Sequence, residues 1–138
     1  MGQYIAPLRD MQFVLHELLN VEDELKQLPK HADIDVDIIN QLLEEGGKFT
    51  SRVLFPLNYS GDREGCHLDK ATHAVTTPKG FKEAYRLFVE AGWPALSCDP
   101  EYGGQGLPIV LSNTIFEMLN SSNQAWTMYP GLSHGAYE

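Results

Sequence analysis

Apolar residues recur at helical rather than alternating spacing along most of the chain. Leu8, Met11, Val14, Leu15, Leu18 and Leu19 share one side of a helix opening after Pro7, while Arg9, Asp10, Gln12, Glu17 and Asn20 fill the other. Val21 to Pro29 reads as a second short helix ended by the proline. Asp33, Asp35 and Asp37 supply N-caps and favourable charge for a third, whose stripe is Ile38, Ile39, Leu42 and Leu43, then Phe49, Val53 and Leu54. That helix is expected to stop before Pro56. Gly46 and Gly47 are a weak point near its middle, at about 1 kcal/mol each relative to alanine.

The periodicity fails from 58 to 77, where Asn58, Gly61, Asp62 and Gly65 mark reversals, so this stretch is expected to be a long irregular excursion with a hairpin-like turn packed on the helical core. Thr77 and Pro78 look like an N-cap followed by the first helical position. Phe81, Ala84, Tyr85, Phe88 and Val89 then line one helix face up to Gly92. Pro108 starts another helix, with Leu111, Ile115, Phe116 and Leu119 on its face, ending in the polar cluster 120–123. The final stretch 124–138 carries Trp126, Met128, Tyr129 and Leu132 on a helix interrupted at Pro130. No segment shows three or more alternating strands. The expected fold is therefore all-α, a helical bundle of about five to six helices forming one domain over residues 1–138.

Charge narrows the function classes. Nineteen acidic against ten basic residues give a net charge of −9, which opposes binding to nucleic-acid backbones and anionic lipid. No apolar run approaches the roughly 18–20 residues of a membrane span, and the N-terminus lacks signal-peptide character, so a cytoplasmic protein is the default. Two cysteines, Cys66 and Cys98, cannot build a dense disulfide framework and point to a reducing compartment. The aspartates from Asp33 do not make a calcium loop, because the sixth and twelfth positions are Ile38 and Glu44, and the sixth should be glycine. Cys66, His67 and His73 lack the paired spacing of a structural zinc site, so no metal is expected. His16 and His31 flank no carboxylate–histidine cluster in sequence and read as structural. Glu44, Glu45, Glu83, Glu90 and Glu117 read as solvated carboxylates on polar helix faces or flanks. No serine sits in Gly-x-Ser-x-Gly, and no basic residue flanks either cysteine, so no catalytic residue is assigned.

The most informative stretch is 92–108, Gly-Trp-Pro-Ala-Leu-Ser-Cys-Asp-Pro-Glu-Tyr-Gly-Gly-Gln-Gly-Leu-Pro. Gly103, Gly104 and Gly106 permit positive φ or close approach, and Pro94, Pro100 and Pro108 block helix continuation, so the segment has a prescribed shape. It is not a dinucleotide fingerprint: counted from Gly104, the third glycine falls on Ile109, and no strand precedes the loop. No Gly-Lys-Ser/Thr of a P-loop exists either.

Gly92-Trp93 followed by Glu101 to Pro108 instead resembles the N-terminal helical domain of the acyl-CoA dehydrogenases. The similarity extends to Tyr4, the run Ala6 to Met11, Phe13 to Leu15, Pro56 to Asn58, Gly61 to Cys66, Thr77-Pro78 and Gly80 to Lys82, which look like the branch acting on 3-methylmercaptopropionyl-CoA and related thioesters. Family members are several-fold longer, so the resemblance implies a truncated chain from which the middle β-domain and the C-terminal helical domain are absent. It implies an FAD-dependent α,β-dehydrogenation of an acyl-CoA in the longer protein, with electron-transfer flavoprotein and a homo-oligomer as partners. The base and most of the flavin site would lie beyond Glu138, so the 138 residues alone are expected to be inactive and to retain no FAD; cofactor-binding residues are not assigned. By the same resemblance Met128, Gly131, Leu132 and Gly135 face the acyl chain. With that surface uncovered, Trp126, Met128, Tyr129 and Leu132 are expected to expose apolar area and promote self-association. The alternative is a non-catalytic helical binding or interaction module derived from that family.

Overall fold

The computed structural model describes residues 2–137. Six α-helices dominate them: α1 (Leu8–Gln12), α2 (Val21–Lys26), α3 (Val36–Phe49), α4 (Phe55–Glu64), α5 (Phe81–Glu90) and α6 (Ile109–Tyr137). The one sheet among these residues is an antiparallel hairpin of β1 (His67–Leu68) and β2 (Val75–Thr76), so the all-α class stands.

Packing follows the apolar stripes of α3, α5 and α6. Ile39, Leu43, Leu54, Phe88, Leu111, Ile115, Met118, Leu119 and Trp126 are almost wholly buried. Trp126 sits at the centre, its ring edge-on to Phe88 at 5.2 Å and near Phe49 at 6.3 Å. Its indole Nε1 donates to the carbonyl of Phe81 at 3.1 Å, which satisfies the only polar atom of a side chain otherwise committed to the core. The expectation that Trp126 is exposed is thus wrong; Met128, Tyr129 and Leu132 are exposed.

The first helix departs from its predicted face. After α1 the chain forms a π-helical turn, Phe13–Leu18, which inserts an extra residue per turn and rotates the later side chains about the axis. Met11 and Leu15 remain buried, but Val14, Leu18 and Leu19 turn outward. His16 is a structural histidine, as expected, yet it has a carboxylate partner the sequence did not show: Nδ1 contacts Glu22 of α2, and Nε2 lies 3.0 Å from Asn40 Oδ1 of α3. The second helix ends at Lys26, short of Pro29.

Asp35 caps α3, its carboxylate accepting from the Ile38 N–H at 2.9 Å, in keeping with the capping role read for the aspartates. The predicted stop before Pro56 does not occur. A second π-helical turn, Thr50–Leu54, carries the chain from α3 into α4, and Pro56 falls in the first turn of α4, where a missing N–H is tolerated. Gly46 and Gly47 are both buried in α3, and a Cβ on Gly46 would lie 2.6 Å from Ile115 Cδ1, so glycine at 46 lets α3 and α6 approach closely. The excursion accordingly begins only after Glu64. Its hairpin is real, but the strand residues are exposed rather than packed on the core. α5 starts three residues after Pro78, because Gly80 takes positive φ (89°) at its N-cap.

α6 bends at Asn123, whose extended backbone (φ −160°, ψ 83°) divides it where the polar cluster 120–123 was expected to end a helix. Pro130 does not interrupt the second half, which continues to Tyr137.

Candidate functional site: the glycine loop and the two faces of α6

Residues 92–108 fold back on themselves. Two 3-10 turns, Trp93–Ala95 and Pro100–Tyr102, are tied together by Gln105 N–H to Ala95 O (2.8 Å), Gly106 N–H to Cys98 O (2.9 Å) and Leu107 N–H to Leu96 O (2.8 Å). Asp99 caps the second turn by accepting from Glu101 N–H at 2.9 Å. Gly103 and Gly106 take positive φ of 82° and 65°. Gly104 serves differently: a Cβ there would stand 2.0 Å from the carbonyl oxygen of Cys98. The backbone N–H groups of residues 103–107 are all spent inside the loop. They are therefore not available to cradle a flavin pyrophosphate, and the loop is a rigid connector that aims α6.

The second half of α6 presents two faces to grooves. Trp126, Tyr129 and Ser133 join Phe81, Lys82 and Tyr85 of α5, Val75 of the hairpin and Thr77 just after it around a cleft of about 510 Å³. On the other side Thr127, Met128, Gly131 and Leu132 meet Phe116 and Asn120 from the first half across a groove of about 190 Å³. Three of the four sequence-selected residues, Met128, Gly131 and Leu132, are brought together there. Gly135 is exposed and does not line it, with open space around it.

Phe116, Asn120 and Thr127 were not assigned to the site from the sequence. Phe116 was legible only as an apolar stripe residue, and its place opposite Gly131 depends on the bend at Asn123. The missing side chain of Gly131 leaves a gap in front of the ring: a Cβ there would lie 3.8 Å from Phe116 Cε1. His134 lies beside that ring, tilted by 34° at 5.9 Å between centroids.

The larger cleft differs in chemistry. At its Tyr129 edge the phenol oxygen lies 3.5 Å from the Cys66 Sγ, and this hydrogen bond, with slight desolvation, pushes the Tyr129 hydroxyl above its ordinary value. No carboxylate or histidine lines either groove, so neither holds a group able to take a proton from a bound thioester at neutral pH. Among the described residues no three of His, Cys, Asp and Glu converge on a point that could hold a metal ion, and no helix is long and apolar enough to cross a membrane.

Nearly the whole chain aligns with acyl-CoA dehydrogenases. It is 36% identical over 135 residues to 3-methylmercaptopropionyl-CoA dehydrogenase of Ruegeria pomeroyi, covering 98% of this chain and 22% of that protein. A broad-specificity linear acyl-CoA dehydrogenase of Mycobacterium tuberculosis is 30% identical over 95% of this chain and 21% of its own length. Butyryl-CoA dehydrogenase of Syntrophomonas wolfei is 31% identical over 96% of this chain and 22% of its own. No family model matches. The chain is thus related to the acyl-CoA dehydrogenases, and it spans about a fifth of the length of the curated relatives it matches.

Proposed function

We propose that this chain is the N-terminal helical domain of an FAD-dependent acyl-CoA dehydrogenase and that it supplies one wall of the acyl pocket. The observation that carries the reading is the alignment of 98% of the chain with 22% of a 3-methylmercaptopropionyl-CoA dehydrogenase. The fold supports the pocket role: Met128, Gly131 and Leu132 share a groove with Phe116, Asn120 and Thr127, an uncharged concave surface suited to a hydrocarbon or thioether chain. FAD supplies the hydride acceptor when bound, and the proton-abstracting carboxylate belongs to the same longer protein. This chain's own residues exclude water from the acyl chain and set its room. Electron-transfer flavoprotein as acceptor, a homo-oligomeric assembly and a cytoplasmic location complete the reading.

Two measurements test it. The purified 138 residues should show no flavin absorption in the visible spectrum and no dye reduction with acyl-CoA; stoichiometric bound flavin would mean that the flavin site lies within them. In the dehydrogenase that carries this segment, Gly131→Val fills the gap before Phe116 and should raise KM more for long than for short acyl-CoA. The discrimination is about tenfold for each methylene or two displaced. An unchanged chain-length profile removes the groove from the acyl pocket.

A further inference from the structure

We propose that Asn123 is a positioning residue whose side chain sets the width of the groove between the two halves of α6; its bearing on substrate rests on the acyl-pocket reading above. Asn123 is 1% exposed, and both ends of its amide are used. Oδ1 accepts from the Trp126 N–H at 3.1 Å, capping the second half-helix. Nδ2 reaches 69 residues back along the chain and donates to the carbonyl of Leu54 at 3.2 Å, the last residue of the Thr50–Leu54 π-helical turn. Its own carbonyl accepts from the Thr127 hydroxyl at 2.9 Å.

Capping needs only an acceptor, which serine, threonine or aspartate would supply equally well. The donor to Leu54 is additional, and it ties the bend to another element. One side of the groove, Phe116 and Asn120, precedes the bend; the other, Thr127, Met128, Gly131 and Leu132, comes after it. Gly131 lies eight residues beyond Asn123, roughly 12 Å along the helix, so a change of about 10° at the bend moves it by about 2 Å. A shift of that size is about half the 3.8 Å that would separate a Cβ on Gly131 from Phe116 Cε1.

Asn123→Thr separates the two roles, since it keeps the acceptor for Trp126 and loses the donor to Leu54. In NMR spectra of the 138-residue chain it should move the Gly131 amide and Met128 methyl signals while leaving those of Ile39 and Leu43 in α3 in place. Coincident spectra would overturn the proposal and leave Asn123 a cap only. Should the variant not fold, the unsubstituted chain still decides. The Asn123 Nδ2 protons should exchange slowly and show cross-peaks to Leu54, and rapid exchange refutes the tie. In the dehydrogenase carrying this segment, Asn123→Thr should raise KM for acyl-CoA about tenfold with kcat within about twofold. Moved signals with an unchanged KM would refute the acyl-pocket reading while the positioning role stands.

Discussion

Replacing Gly104 by alanine places a Cβ 2.0 Å from the carbonyl oxygen of Cys98 and 2.2 Å from its carbonyl carbon. Those are backbone atoms and cannot rotate away, so the loop must open. The bonds at risk are Gly106 N–H to Cys98 O, Gly104 N–H to Asp99 O and Gln105 N–H to Ala95 O. At about 0.5–1.5 kcal/mol net for each, losing two or three costs roughly 2–4 kcal/mol, a large share of the ~5–15 kcal/mol that holds a domain together. Gly103 is the internal control. Its φ is positive (82°), but a Cβ there meets nothing within 4 Å, so Gly103→Ala carries only the left-handed penalty of about 1–2 kcal/mol. Urea unfolding monitored by circular dichroism should show both variants with the parental m value and Gly104→Ala the less stable, by about 1.5 kcal/mol at the middle of the two ranges. In hydrogen exchange the Gln105, Gly106 and Leu107 amides should open in Gly104→Ala and stay protected in Gly103→Ala. Equal stabilities, or unchanged protection at Gly106, would refute the claim that close approach rather than backbone handedness fixes this glycine.

At Gly61 a Cβ would sit 2.6 Å from the ring of Phe81, itself buried, so Gly61→Ala should cost about 1–2 kcal/mol of overpacking, net of helix propensity, and alter the near-UV signal of Trp126. A stabilised variant in urea unfolding would show that the ring gives way freely. The Asp69 carboxylate accepts from the N–H groups of Thr72 and Ala71, and these bonds hold its protonation below the usual aspartate range. A depressed carboxylate contributes order that is complete above its unfolded value and is lost as pH falls through the folded one. The Ala71 and Thr72 amide proton shifts should therefore hold steady down to the ordinary aspartate range and move only below it. Movement at or above that range would contradict the cap.

The helices were legible where an apolar stripe met a local punctuation mark. Asp35 capping α3 depends on atoms three residues apart, and the shaped loop before Pro108 closes on itself within its own segment. The features that could not be read depend on register or on distant partners. The π-helical turns at Phe13–Leu18 and Thr50–Leu54 leave no composition signal, yet the first turns Val14, Leu18 and Leu19 outward and the second carries the helix up to Pro56. Gly46, Gly61 and Gly104 look alike in sequence, but what each approaches, Ile115, Phe81 and Cys98, is set by the fold. Met128, Gly131 and Leu132 came from family likeness and Phe116 from periodicity. Only the bend at Asn123 faces them across one groove, and the Asn123–Leu54 contact spans 69 residues.

The groove's chemistry also bears on the acidity of the chain. None of its six lining residues is ionisable, although the whole chain carries a net charge of −9. A surface of that kind can hold an uncharged chain end but gives an anionic coenzyme head no cation to pair with, and at short range the surrounding charge repels it. What the groove does have is fixed geometry. Asn123 anchors the start of the second half of α6, and at its far end the Tyr137 hydroxyl accepts from Asp99 N–H at 2.9 Å while His134 stacks on Tyr137 and meets Phe116 at a tilt. The rigid glycine loop thus holds both the approach to α6, through Pro108, and its last turn. If the groove is the acyl-pocket wall proposed above, selection acts through the room left beside Gly131 rather than through charge. On that reading, cationic substitutions around its rim, made in the dehydrogenase carrying this segment, should change the salt dependence of acyl-CoA association more than the preference among acyl chains.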